Sequence, residues 1–368
     1  MRLFAIGTNR LADRLYLDHA ATTPMLPVAI AAMTDGMAHW ANPSSPHAEG
    51  RAARAALEGA RGCIAAVYGW SGEVILTSGA SEALAIGLGR SVAERRVISA
   101  VEHDAAIRVA AEAAVIAVDA SGLIDPTSLD AALGISGRPV VAIQWANSET
   151  GVRQPIAALA VTIHAAGGLL LVDAAQMPAG ADPAVAEHAD FVAISAHKRG
   201  GPPGIGALLV RDLATLLPTG GQERGYRPGT ENLPAALGFA AALEAPEDLE
   251  KMAVLRAKLD DAIARSGGVV VAEGASRHPA IGSYRLPGLA AATQLIRFDM
   301  AGIAVSAGSA CSSGSMKPSH VLGAMGWSVE ASREVVRVSF GRGTNEADID
   351  RFIAEWRGVS RSARAFAA

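Results

Sequence analysis

The sequence predicts an α/β fold: a large domain built on a wound, mostly parallel sheet, followed by a smaller α+β domain. Three observations carry this. Short apolar runs alternate with Ala-rich amphipathic stretches from Tyr16 to Val210. Several of these runs lack polar alternation, as strands buried on both faces do. The pattern then changes after the loop 220–232. A chain of 368 residues, half of them hydrophobic, has room for a sizeable core and more than one domain.

In chain order, the expected strands of the large domain are 74–77, 97–100, 140–144, 168–172, 191–195 and 206–210, which are rich in β-branched residues. Between them, 80–93, 104–113 and 155–166 combine helical spacing with good helix formers. Alternating β and α elements imply a wound sheet. Beyond the loop, a long helical stretch over 234–266 is expected. Short strands at 269–272, 283–286 and 335–340 follow it, then a helix from Glu346. The domains are placed at 14–250 (large) and at 1–13 with 251–368 (small).

Composition narrows the function. A formal net charge of -4 offers no electrostatic case for a nucleic-acid partner. Two cysteines, Cys63 and Cys311, are too few for a disulfide framework or a zinc or iron–sulfur site, so no metal site is expected and a reducing compartment is the default. The opening MRLFAIGTNRLADR lacks an apolar run followed by a small-residue cleavage site, and no apolar run is long enough to span a bilayer. The expectation is a cytoplasmic enzyme without a membrane partner.

Several residues then stand out. Lys198 follows the run FVAIS within SAHK, at a strand end where α/β folds bind ligands. Low dielectric there frees the amine as a nucleophile able to form a Schiff base; the alternative is a lysine in a surface loop. Asp173 ends LLLVD and Gln176 follows; the carboxylate suits a protonated ring nitrogen, or caps the next helix. In LTSGASEA, small residues between a strand and a helix suit an anion, although Ser-Gly turns are common. His103 in VEHDAA suits ring stacking and proton movement near neutral pH, or a structural role. Cys311 sits among small residues in SAGSACSSGSMKP, as an accessible reactive thiol would. Cys63 lies in a helical run and reads as a small hydrophobe. Arg337 in EVVRVSFGR suits a substrate carboxylate, with a structural salt bridge as competitor. Asn147 in QWANSETG suits either a ligand contact or a turn.

Together these segments resemble the cysteine desulfurases of the NifS/IscS type, pyridoxal-phosphate enzymes of fold type I in the class V aminotransferase family. The resemblance runs in order through LYLDHAATTP, NPSSPHAEG, LTSGASEA, VEHDA, NSETGV, LVDAAQ, SAHKRGGPPGIGALLV, GGQERGYRPGTEN, SAGSACSSGS, PSHVL and VRVSFGRGT. It implies removal of sulfur from L-cysteine, giving L-alanine and a persulfide on Cys311 for transfer to a sulfur acceptor or scaffold protein. Iron–sulfur cluster assembly and thiolation of a cofactor or tRNA are the candidate destinations. It implies that Lys198 holds pyridoxal 5'-phosphate, His103 stacks on its ring, Asp173 meets the pyridine nitrogen and Gln176 the phenolate oxygen. Ala80, Ser81, Ser195 and His197 would bind the phosphate. Thr230 would reach the phosphate in the other subunit of a homodimer, and Asn147 and Arg337 would place the substrate. Arg199 departs from the pattern, standing where the family usually has a bulky apolar or aromatic residue. Pro203 stands where a lysine is common, and the tail after Phe366 is short. The alternatives are a selenocysteine lyase, an aminotransferase of the same fold, or a non-catalytic sulfur-transfer scaffold.

Overall fold

The structure, a computed structural model, describes residues 14–39, 41–308 and 318–367. A short first strand, β1 (Leu15–Tyr16), lies outside the main sheet. That sheet comprises β2 (Glu73–Thr77), β3 (Arg95–Ser99), β4 (Ala114–Ile116), β5 (Pro139–Gln144), β6 (Leu169–Asp173), β7 (Phe191–Ser195) and β8 (Gly206–Val210). Their order is β2-β8-β7-β6-β5-β3-β4. Only β8 runs against its neighbours; the remaining pairs are parallel.

The apolar runs lack alternation because both faces are covered. Successive strand residues point to opposite faces. Ile75, Val140, Leu171, Phe191 and Leu208 join a core on one face with the helix Ala80–Arg90. Leu76, Val141, Leu170, Val192 and Leu209 join the other, beneath the helices Ala48–Val67, Ile156–Ala165 and Leu233–Glu244.

The second core comes mainly from the chain after Leu249. Here β9 (Val269–Val270), β10 (Ile281–Arg285), β11 (Ile303–Ala304) and β12 (Val335–Ser339) appear, with β12-β10-β9 antiparallel and β1 parallel to β11. The helices Leu249–Arg265, Ala291–Met300 and Glu346–Ala367 supply its apolar side chains. Phe298 and Phe352 stack there with ring centroids 5.0 Å apart. Leu15 and Leu17 belong to this core as well. The expected N-terminal segment 1–13 lies outside the described residues.

Two further expectations change. The strand β4 was not anticipated, being three residues long. The single helix expected over 234–266 is two helices. Ala245 is extended at ψ 125°, because the ring of Pro246 disfavours the helical region for the residue before it. Asp248 then caps the second helix, its carboxylate accepting from Lys251 N at 2.9 Å.

The carboxyl ends of β2, β3, β5, β6 and β7 share one edge of the sheet, and the chemistry-bearing loops leave from it. Gly206, at the start of β8, faces Thr77 and Ser195 in register. A Cβ at Gly206 would lie 2.4 Å from the Ile194 carbonyl and 2.7 Å from the Gly79 Cα. Its absence lets the loop after β2 settle against the end of β7.

Candidate active site

At this edge lies a cavity of about 920 Å³. It gathers Lys198, His103, Asp173, Gln176, Ala80, Ser81, Ser195, His197, Asn147 and Arg337, residues scattered over 258 positions of sequence counted from Ala80 to Arg337 inclusive. Thr230 does not line it and is exposed. Cys311 lies outside the described residues. Gly308 and Pro318, which flank the segment that carries it, line the cavity wall.

Lys198 sits three residues past the end of β7. Its Nζ donates to the Ala20 carbonyl at 2.7 Å. Loss of hydration and then the nearby Arg337 guanidinium lower its amine from 10.5 to about 8. The surface-loop alternative therefore fails: the amine is held inside the cavity, poised near neutrality.

Asp173 is the last residue of β6 and is buried. Its Oδ1 accepts from Ala175 N at 2.9 Å. Burial pushes its carboxyl up, opposed by that bond and by His103 and Lys198. Gln176 is also buried. Its Nε2 donates to the same Ala20 carbonyl at 3.0 Å, and its Oε1 has no partner among the described residues. His103 caps the helix Asp104–Val109, its Nδ1 accepting from Ala105 N at 3.1 Å. With Nδ1 so engaged, the neutral ring carries its proton on Nε2. Loss of hydration holds the imidazole below its ordinary value.

The loop after β2 has the geometry of an anion cradle. Gly79 precedes the eleven-residue helix Ala80–Arg90 at φ 147°, and Ser78, Ser81 and Ser195 surround it in the cavity wall. The helix dipole favours negative charge there, although Ser78 N donates to Glu82 Oε2 and Gly79 N to Thr77 Oγ1 at 3.4 Å. His197 bonds Thr22 Oγ1 through Nδ1 at 3.1 Å and is lowered to about 4, chiefly by loss of hydration. It is therefore a neutral hydrogen-bonding group at neutral pH.

Two candidates carry structural bonds as well. Arg337, buried in β12, donates from Nη2 to Asp18 Oδ1 at 2.7 Å and from Nη1 to the Ser148 carbonyl at 2.9 Å. A substrate carboxylate would share this guanidinium with Asp18. Asn147 is a turn residue: its Oδ1 accepts from Glu149 N and Thr150 N at 2.9 and 2.8 Å, and its Nδ2 donates to the Val101 carbonyl at 3.1 Å. Contact with a ligand would require one of these bonds to open. Cys63 is half-buried and packs at the margin of the large core. Burial raises its thiol, which keeps it protonated.

Sequence reasoning missed two acids. Glu102, beside His103, is fully buried. Its Oε1 accepts from Ser99 Oγ and, at 3.0 Å, from Gln144 N, while its Oε2 has no partner among the described residues. Burial raises this carboxyl to about 8. Glu149, also buried, accepts from Ser319 Oγ at 2.6 Å, and burial raises it too. Their signal in sequence was faint: Glu102 directly follows an apolar run and Glu149 lies in the polar turn after another, positions that normally face water.

The comparisons with known proteins identify the family. The family profile described as aminotransferase class-V matches residues 15–352. A cysteine desulfurase of Rhodobacter capsulatus is 37% identical, covering 92% of this chain and 94% of the relative. An IscS-like cysteine desulfurase of Mycobacterium tuberculosis is 36% identical over 95% of this chain and 97% of its own length. The solved NifS-like protein of Rickettsia africae superposes with a TM-score of 0.84 at 29% identity, covering 94% of this chain and 99% of that one. The chain belongs to the cysteine desulfurases of the class-V aminotransferase family.

Proposed function

We propose that this cavity removes sulfur from L-cysteine, releasing L-alanine and leaving a persulfide on Cys311, with pyridoxal 5'-phosphate held through Lys198. One observation carries the reading. A lysine lowered to about 8 and a buried carboxyl stand at neighbouring strand ends, in a cavity bounded by both flanks of the Cys311 segment.

The residues fit that cofactor. The Asp173 Oδ1 is taken by Ala175, and among the described residues no donor serves its Oδ2, which suits a protonated ring nitrogen. The Gln176 Nε2 gives one N–H to the Ala20 carbonyl and has a second to donate to the ring's phenolate oxygen. The cradle at Gly79 suits a phosphate. When bound, the cofactor supplies a sink for the electrons released at the substrate Cα. Lys198 then serves as the base that takes the Cα proton and returns one. His103, donating through Nε2, serves the thiol proton. Arg337 and Asn147 position the substrate. The Cys311 thiolate attacks the substrate sulfur; an S–S bond forms as the C–S bond breaks, so L-cysteine and the Cys311 thiol become L-alanine and the Cys311 persulfide.

Two features support a homodimer. Thr230 is exposed and lies away from its own cavity. The helix Pro27–Ala38 leaves Ile30 and Met37, two turns apart on one side, about half exposed, where a second copy would cover them. We place the enzyme in the cytoplasm, passing sulfur to an acceptor or scaffold protein. Among the described residues no helix is long and apolar enough to cross a membrane.

The test is release of L-alanine and sulfide from L-cysteine under a reductant, for wild type, Lys198→Ala and Cys311→Ala. Alanine formation is expected to need Lys198, and sulfide release to need both residues. Normal persulfide delivery by Cys311→Ala would overturn the reading.

A further inference from the structure

Behind Lys198, on the side away from the main cavity, lies a buried cluster that the proposed reaction does not use. Arg199 is 7% exposed, and its Nη1 donates to both oxygens of Glu247 at 3.2 and 3.1 Å. Arg342 donates from Nη2 to Glu247 Oε1 at 2.8 Å. From Nη1 it donates to the Arg199 main-chain carbonyl, also at 2.8 Å. The three residues come from three places: the loop after β7, the break between the helices Leu233–Glu244 and Leu249–Arg265, and the turn after β12. They join the loop that carries Lys198 to the same strand that carries Arg337.

Two guanidinium groups share one carboxylate, so the cluster holds a net positive charge. The neighbouring rings do not change this. His19 and His278 are held at about 4 and about 3, first by loss of hydration and then by Arg199. Lys198, Gln176, Arg199, Glu247, His278 and Arg342 all border one void of about 20 Å³. That is room for about one water molecule, so little solvent lies between the cluster and the lysine on this side.

We propose that Arg199 is a positioning residue for Lys198: through the Arg199–Glu247–Arg342 triad it fixes the lysine-bearing loop and holds unbalanced positive charge behind the amine. The proposal rests on the cofactor reading above. The other charged groups facing the lysine are Asp173, Asp18 and Arg337, with His103 and His197 alongside. All of them remain in the variants below.

The triad makes opposite predictions for its two signs of charge. Arg199→Met removes a buried positive charge and should move the lysine-centred titration of the bound cofactor's visible absorbance to higher pH, by about half a unit to one unit. Glu247→Gln keeps the acceptor oxygen but removes the negative charge, and should move it to lower pH. A purely structural role would move neither midpoint, or both in the same direction, and either result overturns the proposal. If Arg199→Met does not fold, the downward shift in Glu247→Gln decides. If wild type takes up no pyridoxal 5'-phosphate, the cofactor reading falls by itself. The same comparison is then read on the free lysine, by the pH dependence of amine-selective labelling at Lys198 resolved by mass spectrometry. The chain's only other lysines are Lys251, Lys258 and Lys317, which serve as internal references.

Discussion

Glu102→Gln should make the protein more stable, and increasingly so as pH rises. The carboxyl has no exposed surface, keeps one oxygen unpartnered among the described residues, and is raised from 4.5 to about 8, chiefly by burial. The folded protein therefore holds a proton that the unfolded chain releases near pH 4.5. A carboxyl raised in this way contributes fully below the unfolded value and loses its contribution as pH rises through about 8. At 1.36 kcal/mol per pH unit, the penalty is roughly 1 kcal/mol at about pH 5.5 and roughly 5 kcal/mol at about pH 8.5. The amide cannot ionise, and its carbonyl oxygen still accepts from Ser99 and Gln144. The advantage of Glu102→Gln should thus grow by roughly 3 kcal/mol between those conditions. For a chain of 368 residues that is about 4 °C in melting temperature at about 2.1 cal/mol/K per residue. Calorimetry at both pH values, with wild type and variant equally loaded with cofactor, measures it. Asp173 and Glu149, whose carboxyls are also raised, are present in both proteins and cancel. An advantage independent of pH, or a variant less stable at the higher pH, would refute a protonated Glu102.

Three further outcomes are expected. Glu223→Ala strands Arg61, whose side chain is 9% exposed and bonds both Glu223 oxygens, and it removes the acceptor of Leu76 N; denaturant titration should show a loss of about 3–5 kcal/mol. Gly206→Ala drives a methyl into the Ile194 carbonyl and the Gly79 backbone, so it should cost about 1–3 kcal/mol and weaken pyridoxal 5'-phosphate binding measured by absorbance. Met37→Glu, on the exposed face of the helix Pro27–Ala38, should shift sedimentation toward the monomer while leaving the circular dichroism spectrum of the fold intact.

Much of the large domain was legible because its strands are covered on both faces. Runs such as FVAIS and LLLVD could satisfy their backbone and their side chains only inside a sheet, and their last residues mark the functional edge. The candidate residues announced themselves by position: Lys198 and Asp173 stand where apolar runs stop. Shorter elements were less visible. The strand at Ala114–Ile116 is too brief to show a period, and the helix break at Pro246 was overrun by good helix formers on both sides.

By itself, then, the sequence determined most strands of the large sheet, the edge at which the chemistry gathers, and most of the side chains available there. Tertiary structure alone decided what those side chains can do. It paired Arg337 with Asp18 and committed the Asn147 amide to a turn. It buried Glu102 with one oxygen unpartnered among the described residues and set two arginines behind Lys198. The reason is physical: proton affinity and hydrogen-bond capacity depend on hydration and on charges a few ångströms away, and those neighbours come from segments up to 319 residues distant in the chain.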